Sequence, residues 1–230
     1  MFDFSPAELT AIGLSLKVAA VAVLASLPLG IAMGWLLARV RFPGKLLLDA
    51  LLHLPLVLPP VVTGYVLLIL FGNQGAIGRF LSDHFGFSFA FRWTGAALAC
   101  AIMGFPLMVR AIRLSIEAVD RRLEQAAATL GANPWRVFFG MTLPLALPGV
   151  IAGAVLAFAK ALGEFGATIT FVSNIPGETQ TLSSAIYGML QVPGAESGLW
   201  RLTVVAVAIS FGAVLLSEWL VQRQRRERAA

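Results

Sequence analysis

The sequence predicts an all-α integral membrane protein with five transmembrane helices, its N-terminus outside and its C-terminus in the cytoplasm. Three observations carry this. Charged residues make up 13% of the chain and hydrophobic ones 58%, against about 25% and about 45–50% in a soluble domain. Mean hydropathy is +0.84, and the uncharged runs reach the roughly 20 residues that a bilayer core requires. Lysine and arginine gather at the ends of those runs, where they set topology.

The spans are expected at about 12–37, 51–71, 95–112, 145–165 and 199–221, in one domain over 1–230. The N-terminus, MFDFSPAEL, has no positive leader, so the first run is expected to be retained as a span. Thr181 to Leu190 is apolar but too short to cross, which suggests a helix lying in or dipping into the interface. One side of the membrane receives Arg39, Arg41, Lys45, Arg110, Arg113, Arg121, Arg122, Arg136, Arg223, Arg225, Arg226 and Arg228; the other receives Arg79, Arg92 and Arg201. The positive-inside rule makes the richer side cytoplasmic. Residues 120–144 then form a cytoplasmic loop, and 166–198 an outer one.

Several function classes are excluded. The basic residues mark span ends, so they do not indicate nucleic acid. Cys100 is single, which rules out an intrachain disulfide, and it reads as a small packing residue. His53 and His84 have no companions at ligand spacing, so no metal site is expected. There is no phosphate-binding GxxxxGK[ST], no HExxH and no Ser/His/Asp constellation. Enzymatic chemistry and a cofactor in this chain are not expected. The spans also carry no series of carboxylates for proton relay. Uphill transport would therefore draw on a partner.

Proline and glycine interrupt the spans. Span two holds Pro55, Pro59 and Pro60 ahead of Thr63; span three holds Gly104 and Pro106. Each proline removes a backbone donor and clashes with the preceding turn. The freed carbonyls need neighbouring helices or water. Two readings follow, a packed bundle or a water-accessible path. Gly30 and Gly34 form a GxxxG, which permits close helix approach. Lys160 and Glu164 are four apart and share a helix face near the outer end of span four, followed by Gly166. They are either a snorkelling or structural pair, or part of the outer mouth of a path. Lys17, near the outer end of span one, is expected to snorkel.

The stretch EQAAATLGANPWRVFFGMTLPLALPG, from Glu124 to Gly149, is too polar and too broken to span. Asp120 caps a helix from Arg121, Gly131 stops it in a left-handed turn, and Asn133 with Pro134 starts a second helix. Pro144 is expected to end that helix. Leu123, Ala126, Ala127 and Leu130 share one face of the first helix; Trp135, Phe138, Phe139 and Thr142 share one face of the second. The hairpin either packs under its own bundle or docks a cytoplasmic protein.

The stretch resembles the EAA loop of importer permeases of the ATP-binding-cassette superfamily, with its EAA, three residues, Gly, nine residues, Ile, one residue, Leu-Pro. Aligned on Gly131, Ala126 and Ala127 match the alanines, Met141 stands at the isoleucine, and Leu143 and Pro144 complete the motif. Gln125 occupies the glutamate position, with Glu124 one residue earlier. The resemblance implies a MetI-like permease in a bacterial inner membrane, in which this loop is a coupling helix seated in an ATPase cleft. It also implies a second copy of the chain, a pair of ATPase subunits that bind ATP and magnesium, and an external binding protein. RFPGK (41–45), LPLVLPPVVTGY (54–65), FGNQGAIG (71–78) and LGEFGATITFVSNIPGETQTLSSAIYGMLQVPG (162–194) are similar to molybdate-importer permeases. Tungstate would accompany molybdate. Sulfate and thiosulfate permeases share part of these elements and are the alternative, ahead of an ion-coupled secondary transporter or a membrane anchor.

Overall fold

A backbone in lipid has to satisfy its own hydrogen bonds, which leaves helices or a closed barrel. The computed structural model describes residues 4–229, and every regular element in them is helical. Helix α1 spans Pro6–Arg39. A capping box starts it, with Ser5 N donating to Glu8 Oε2 at 2.6 Å and Glu8 N to Ser5 Oγ at 3.2 Å. Helices α5 (Trp93–Glu117), α8 (Leu143–Leu162) and α11 (Glu196–Ala229) correspond to spans three, four and five. Among the described residues four helices are each long and apolar enough to cross a bilayer, those at Pro6–Arg39, Trp93–Glu117, Pro134–Leu162 and Glu196–Leu216. The side chains of Arg223, Arg225, Arg226 and Arg228 lie outside the described residues.

The proline-bent span two expected at 51–71 breaks outright. It divides into α2 (Lys45–Val57) and α3 (Pro60–Phe71), bent by 112°. Leu58 is extended, at φ −68° and ψ 144°. Proline pushes its predecessor out of the helical region, so Pro59 and Pro60 together force the corner. The two pieces reach spanning length only jointly.

The segment expected as an outer loop over 166–198 contains two helices. Helix α9 (Gly166–Val172) buries Ala167, Thr168, Phe171 and Val172. Helix α10 (Leu182–Met189) is the short helix read at 181–190; Leu182 N donates to Ser15 Oγ at 2.6 Å and so docks it on α1. Helix α4 (Ala76–Phe85), in the preceding outer connection, is amphipathic and was not anticipated.

Helix α5 is the central element, with α1 on one side and α8 on another. The GxxxG makes the first contact. A Cβ on Gly30 would lie 2.7 Å from Met108 Sδ, and one on Gly34 2.7 Å from Ile112 Cγ2. On the other side Gly153 approaches Met108 O, where a Cβ would lie at 2.9 Å, and Gly149 abuts Ser115 and Ala111. Cys100 is buried in this core, as expected of a packing residue. At one end of the bundle Arg201 Nη2 meets Glu8 Oε1 at 2.9 Å, joining the starts of α1 and α11. At the other, Arg113 Nη1 meets Asp49 Oδ2 at 3.0 Å, joining α2 to α5.

Because a side chain at position 149 would overlap Ser115, Gly149→Leu is expected to destabilise by about 3 kcal/mol through overpacking. That lowers the melting midpoint of the solubilised protein by about 10 °C. Gly13→Ala, where nothing lies within 4 Å of the added Cβ, should move it by no more than about 2 °C.

Candidate functional site

The hairpin boundaries follow their caps. Asp120 Oδ1 accepts from Arg122 N at 2.9 Å and opens α6 (Arg121–Thr129). Gly131 sits at φ 86°, a left-handed conformation that costs glycine little. Asn133 Oδ1 accepts from Arg136 N at 2.8 Å, and Pro134 opens α7 (Pro134–Val137). Pro144, however, does not end the second helix. The chain passes from α7 through a π turn at Phe138–Thr142 directly into α8. Leu143 N donates to Phe138 O, a bond one residue longer than in an α-helix. Pro144 then falls in the first turn of α8, where its missing donor is tolerated. The second arm of the hairpin is thus the end of span four, one helix over Pro134–Leu162.

The carboxylate of Glu124 ties this hairpin to the bundle, beside a bond from Arg121 Nη2 to Ala38 O at 3.4 Å. Glu124 Oε1 accepts from Arg39 Nη2 at 3.1 Å, from Arg39 Nε at 3.2 Å and from Thr142 Oγ1 at 2.7 Å. Arg39 Nη2 also donates to Val119 O at 2.9 Å. The side chains of Arg39 and Glu124 are 9% and 17% exposed, so water screens the pair weakly. The carboxylate therefore joins α6, the end of α1 and the π turn. Trp35 and Phe138 pack edge to face beside it, with centroids 6.1 Å apart. Gln125 is exposed and lines the groove beside this pair. Of the two candidates for the motif's glutamate, Glu124 makes the intrachain contacts.

The aromatic face read on the second helix divides in two. Phe138 and Thr142 turn inward, Thr142 fully buried. Trp135 and Phe139 stay 71% and 58% exposed, stacked at 6.2 Å with 17° between planes. The π turn shifts register between these positions and breaks the regular 3.6 spacing. Leu123, Leu130 and Ala126 add exposed apolar surface; Ala127, Met141 and Leu143 are half-buried and Pro144 is exposed. A groove of about 470 Å³ runs between α1 and the hairpin, lined by Trp35, Arg39, Glu124, Gln125 and Phe138.

Of the expected path residues, the structure brings Pro60, Glu164 and Gly166 together and places Thr63 one turn along α3. A Cβ on Gly166 would lie 2.8 Å from Pro60 Cβ, and one on Gly64 2.5 Å from Ala167 O. Thr63 is buried and its Oγ1 has no hydrogen-bond partner among the described residues. Pro59 forms the corner, and Pro55 lies half-buried within α2. Gly104 and Pro106 are buried in α5, with Gly104 against Ala157 of α8.

Glu164 is placed differently from the expectation. Helix α8 ends at Leu162, so Lys160 and Glu164 do not share one unbroken helix. They still meet, Lys160 Nζ to Glu164 Oε2 at 2.7 Å, while Glu164 Oε1 accepts from Ala167 N at 2.9 Å. Glu164 does not snorkel: its side chain is 1% exposed. Ala161 O lies 3.5 Å from Cys100 Sγ, whereas Val172, at the far end of α9, packs where a Cβ on Gly95 would be. Gly95 precedes Cys100 by five residues, about 8 Å of helix. Helix α9 thus lies towards the Gly95 end of α5, beyond the break.

The model of the family described as "Binding-protein-dependent transport system inner membrane component" matches residues 26–226. The chain belongs to this family. It is 64% identical over 222 residues to the molybdenum transport system permease protein ModB of Escherichia coli K12, covering 96% of each chain. It is 41% identical over 162 residues to the sulfate transport system permease protein CysT of the same organism, covering 70% of this chain and 58% of that one. Among solved structures, the MetNI methionine ABC transporter in inward-facing conformations superposes with a TM-score of 0.71 at 16% identity, over 94% of this chain and 95% of that one. The fold is thus that of an importer permease, an inner membrane component.

For a family member, the contacts missed in the sequence are instructive. Arg39 was counted as a topology signal, yet it is the partner of Glu124. Thr142 carried no signal of its own. Glu8 could have been found, because Ser5-Pro6-Ala7-Glu8 is a capping-box pattern. Lys17 lies 3.7 Å above the Trp93 ring, a cation–π contact. Among the described residues no three His, Cys, Asp or Glu side chains cluster as a metal site.

Glu124→Ala removes three charge-assisted hydrogen bonds, and about 2 kcal/mol of local stability is expected to go with them. Amide exchange across residues 121–137 should then quicken about 30-fold. Glu124→Gln keeps an acceptor for Thr142 and should fall between.

Proposed function

We propose that this chain is the membrane-spanning subunit of an ATP-driven importer of molybdate, and of tungstate by its chemical likeness. It acts as a pair of identical chains, receives its cargo from an external binding protein, and draws energy from a separate pair of ATPase subunits. ATP and magnesium belong to those subunits. The observation that carries the reading is the hairpin: exposed Trp135 and Phe139 stand on a helix continuous with span four, while Glu124 ties the other arm to span one. Stacked aromatics of this exposure, clear of the apolar spans, have the character of a docking anchor. A partner that closes on the hairpin would move spans one and four together.

The choice of oxyanion is supported by the 64% identity to a molybdenum permease over nearly the whole chain. The sulfate permease matches at lower identity and over a shorter stretch. Sulfate or thiosulfate is the alternative cargo. Within each chain the bent α2–α3 pair and the α8–α9 break are the proposed lining of the path, with Pro55, Pro59 and Pro60 shaping the corner. Gly104 and Pro106 would act by letting α5 shift against α8.

An ATPase with a phosphate-binding loop is expected to co-purify with the native chain. Trp135→Ala combined with Phe139→Ala should weaken that association about 100-fold, the scale of two interface anchors, without impairing membrane insertion. Gly131→Val should act similarly by straining a left-handed turn. Cells should accumulate labelled molybdate, with tungstate competing strongly and sulfate weakly. Equal competition by sulfate would transfer the assignment to the alternative.

A further inference from the structure

We propose that the junction of the two broken spans is a transient site for a tetrahedral oxyanion, with Lys160 as its cation and Thr63 as a second donor. This deepens the transport reading above and rests on it.

The first observation is where the breaks fall. One apolar segment is interrupted at Leu58–Pro59 and the other at Gly163–Phe165. The interruptions meet, since Gly166 stands against Pro60 and Gly64 against Ala167. Irregular backbone at membrane depth is tolerated where protein covers it or where it lines a cavity. Paired interruptions of this kind are where membrane carriers place polar ligands.

The second observation is the asymmetry of the ion pair. Glu164 is 1% exposed at its side chain, whereas Lys160 is 30% exposed. Both Glu164 oxygens are used, one by Lys160 and one by Ala167 N. An ammonium has three donors, and among the described residues Glu164 is the one hydrogen-bond partner of Lys160. Lys160 thus keeps donors free on an accessible surface while Glu164 balances its charge.

The third observation is independent of charge. Thr63 is 7% exposed and its Oγ1 lacks a partner among the described residues. It lies on α3 between Pro60 and Gly64, the two residues that touch the start of α9. Buried hydroxyls nearly always find a partner. A passing oxyanion would supply an acceptor.

The chemistry suits a tetrahedral, doubly charged anion that accepts hydrogen bonds from several directions. Lysine is a compact charge with rotatable donors and imposes no planar geometry. Its pairing with Glu164 leaves little net charge at the junction, so the anion is met but not trapped. Conduction needs that balance, binding strong enough to enter and weak enough to leave.

The test uses the complete complex with its ATPase and binding protein, reconstituted in proteoliposomes and given labelled molybdate. The readout is molybdate taken up per ATP hydrolysed. Lys160→Gln alone leaves a buried carboxylate unpaired, so Lys160→Gln with Glu164→Gln is the principal variant. Its ratio is expected to fall at least about tenfold and that of Thr63→Val about threefold, while Lys160→Arg, which keeps the charge but presents a planar set of donors, should fall less than the double variant. A native ratio in the double variant, or a loss in Lys160→Arg as deep as in the double variant, overturns the site. If the double variant does not assemble, Thr63→Val decides, and a native ratio there overturns it. A native complex that hydrolyses ATP yet takes up neither molybdate nor sulfate overturns the transport reading and the site with it. A native complex that transports while the variants match it overturns the site alone.

Discussion

The carboxylate of Glu124 is the point on which the cytoplasmic half of the molecule depends. Three elements distant in sequence, the end of α1, the start of α6 and the π turn before α8, converge on its Oε1 atom. Charge-assisted bonds in a weakly screened setting are the strong members of their class. Without them α6 would be attached to the bundle chiefly by its two connections, since none of its residues is buried. With them, a push on the hairpin reaches α1 through Arg39 and α8 through the unbroken helix from Pro134. The outward face is left free to meet a partner, and the inward face is committed to the fold.

The helical bundle obeys a different constraint. Helix α5 lies close to both α1 and α8 because glycines remove side chains at the crossings. That close packing leaves no room there for a wide passage through a single chain. The irregular backbone falls elsewhere, at the α2–α3 corner and the α8–α9 break, and the two are in contact. The rigid part of the bundle and the interrupted part are thus separate regions of one chain, as a moving permease requires.

Much of this was legible in the sequence for local physical reasons. Caps, a left-handed glycine and a proline at a first turn depend on neighbouring residues, and Asp120, Gly131, Asn133 and Pro134 all did what their chemistry dictates. The long apolar runs fall within helices α1, α5 and α11 and largely within α8. The failures came where one local signal had two meanings. Pro144 can end a helix or open one, and the π turn decided for opening. Three prolines in span two indicated a disturbance without its size, a 112° bend. Gly166 to Val172 was read as part of the outer connection, yet it forms a buried helix packed against α3 and α5. The partners of Glu124 were invisible, since Arg39 is 85 residues away and its charge already had an explanation in topology.

The account stands on the hairpin transmitting force through Glu124. The most direct measurement is the coupling of ATP hydrolysis to uptake in reconstituted complexes carrying Glu124→Ala. The account predicts that the ATPase still binds, through Trp135 and Phe139, and still hydrolyses ATP, while the cargo moved per ATP falls severalfold because the docked hairpin yields instead of moving the spans. Uptake and hydrolysis both at native levels, in the same ratio, would contradict it.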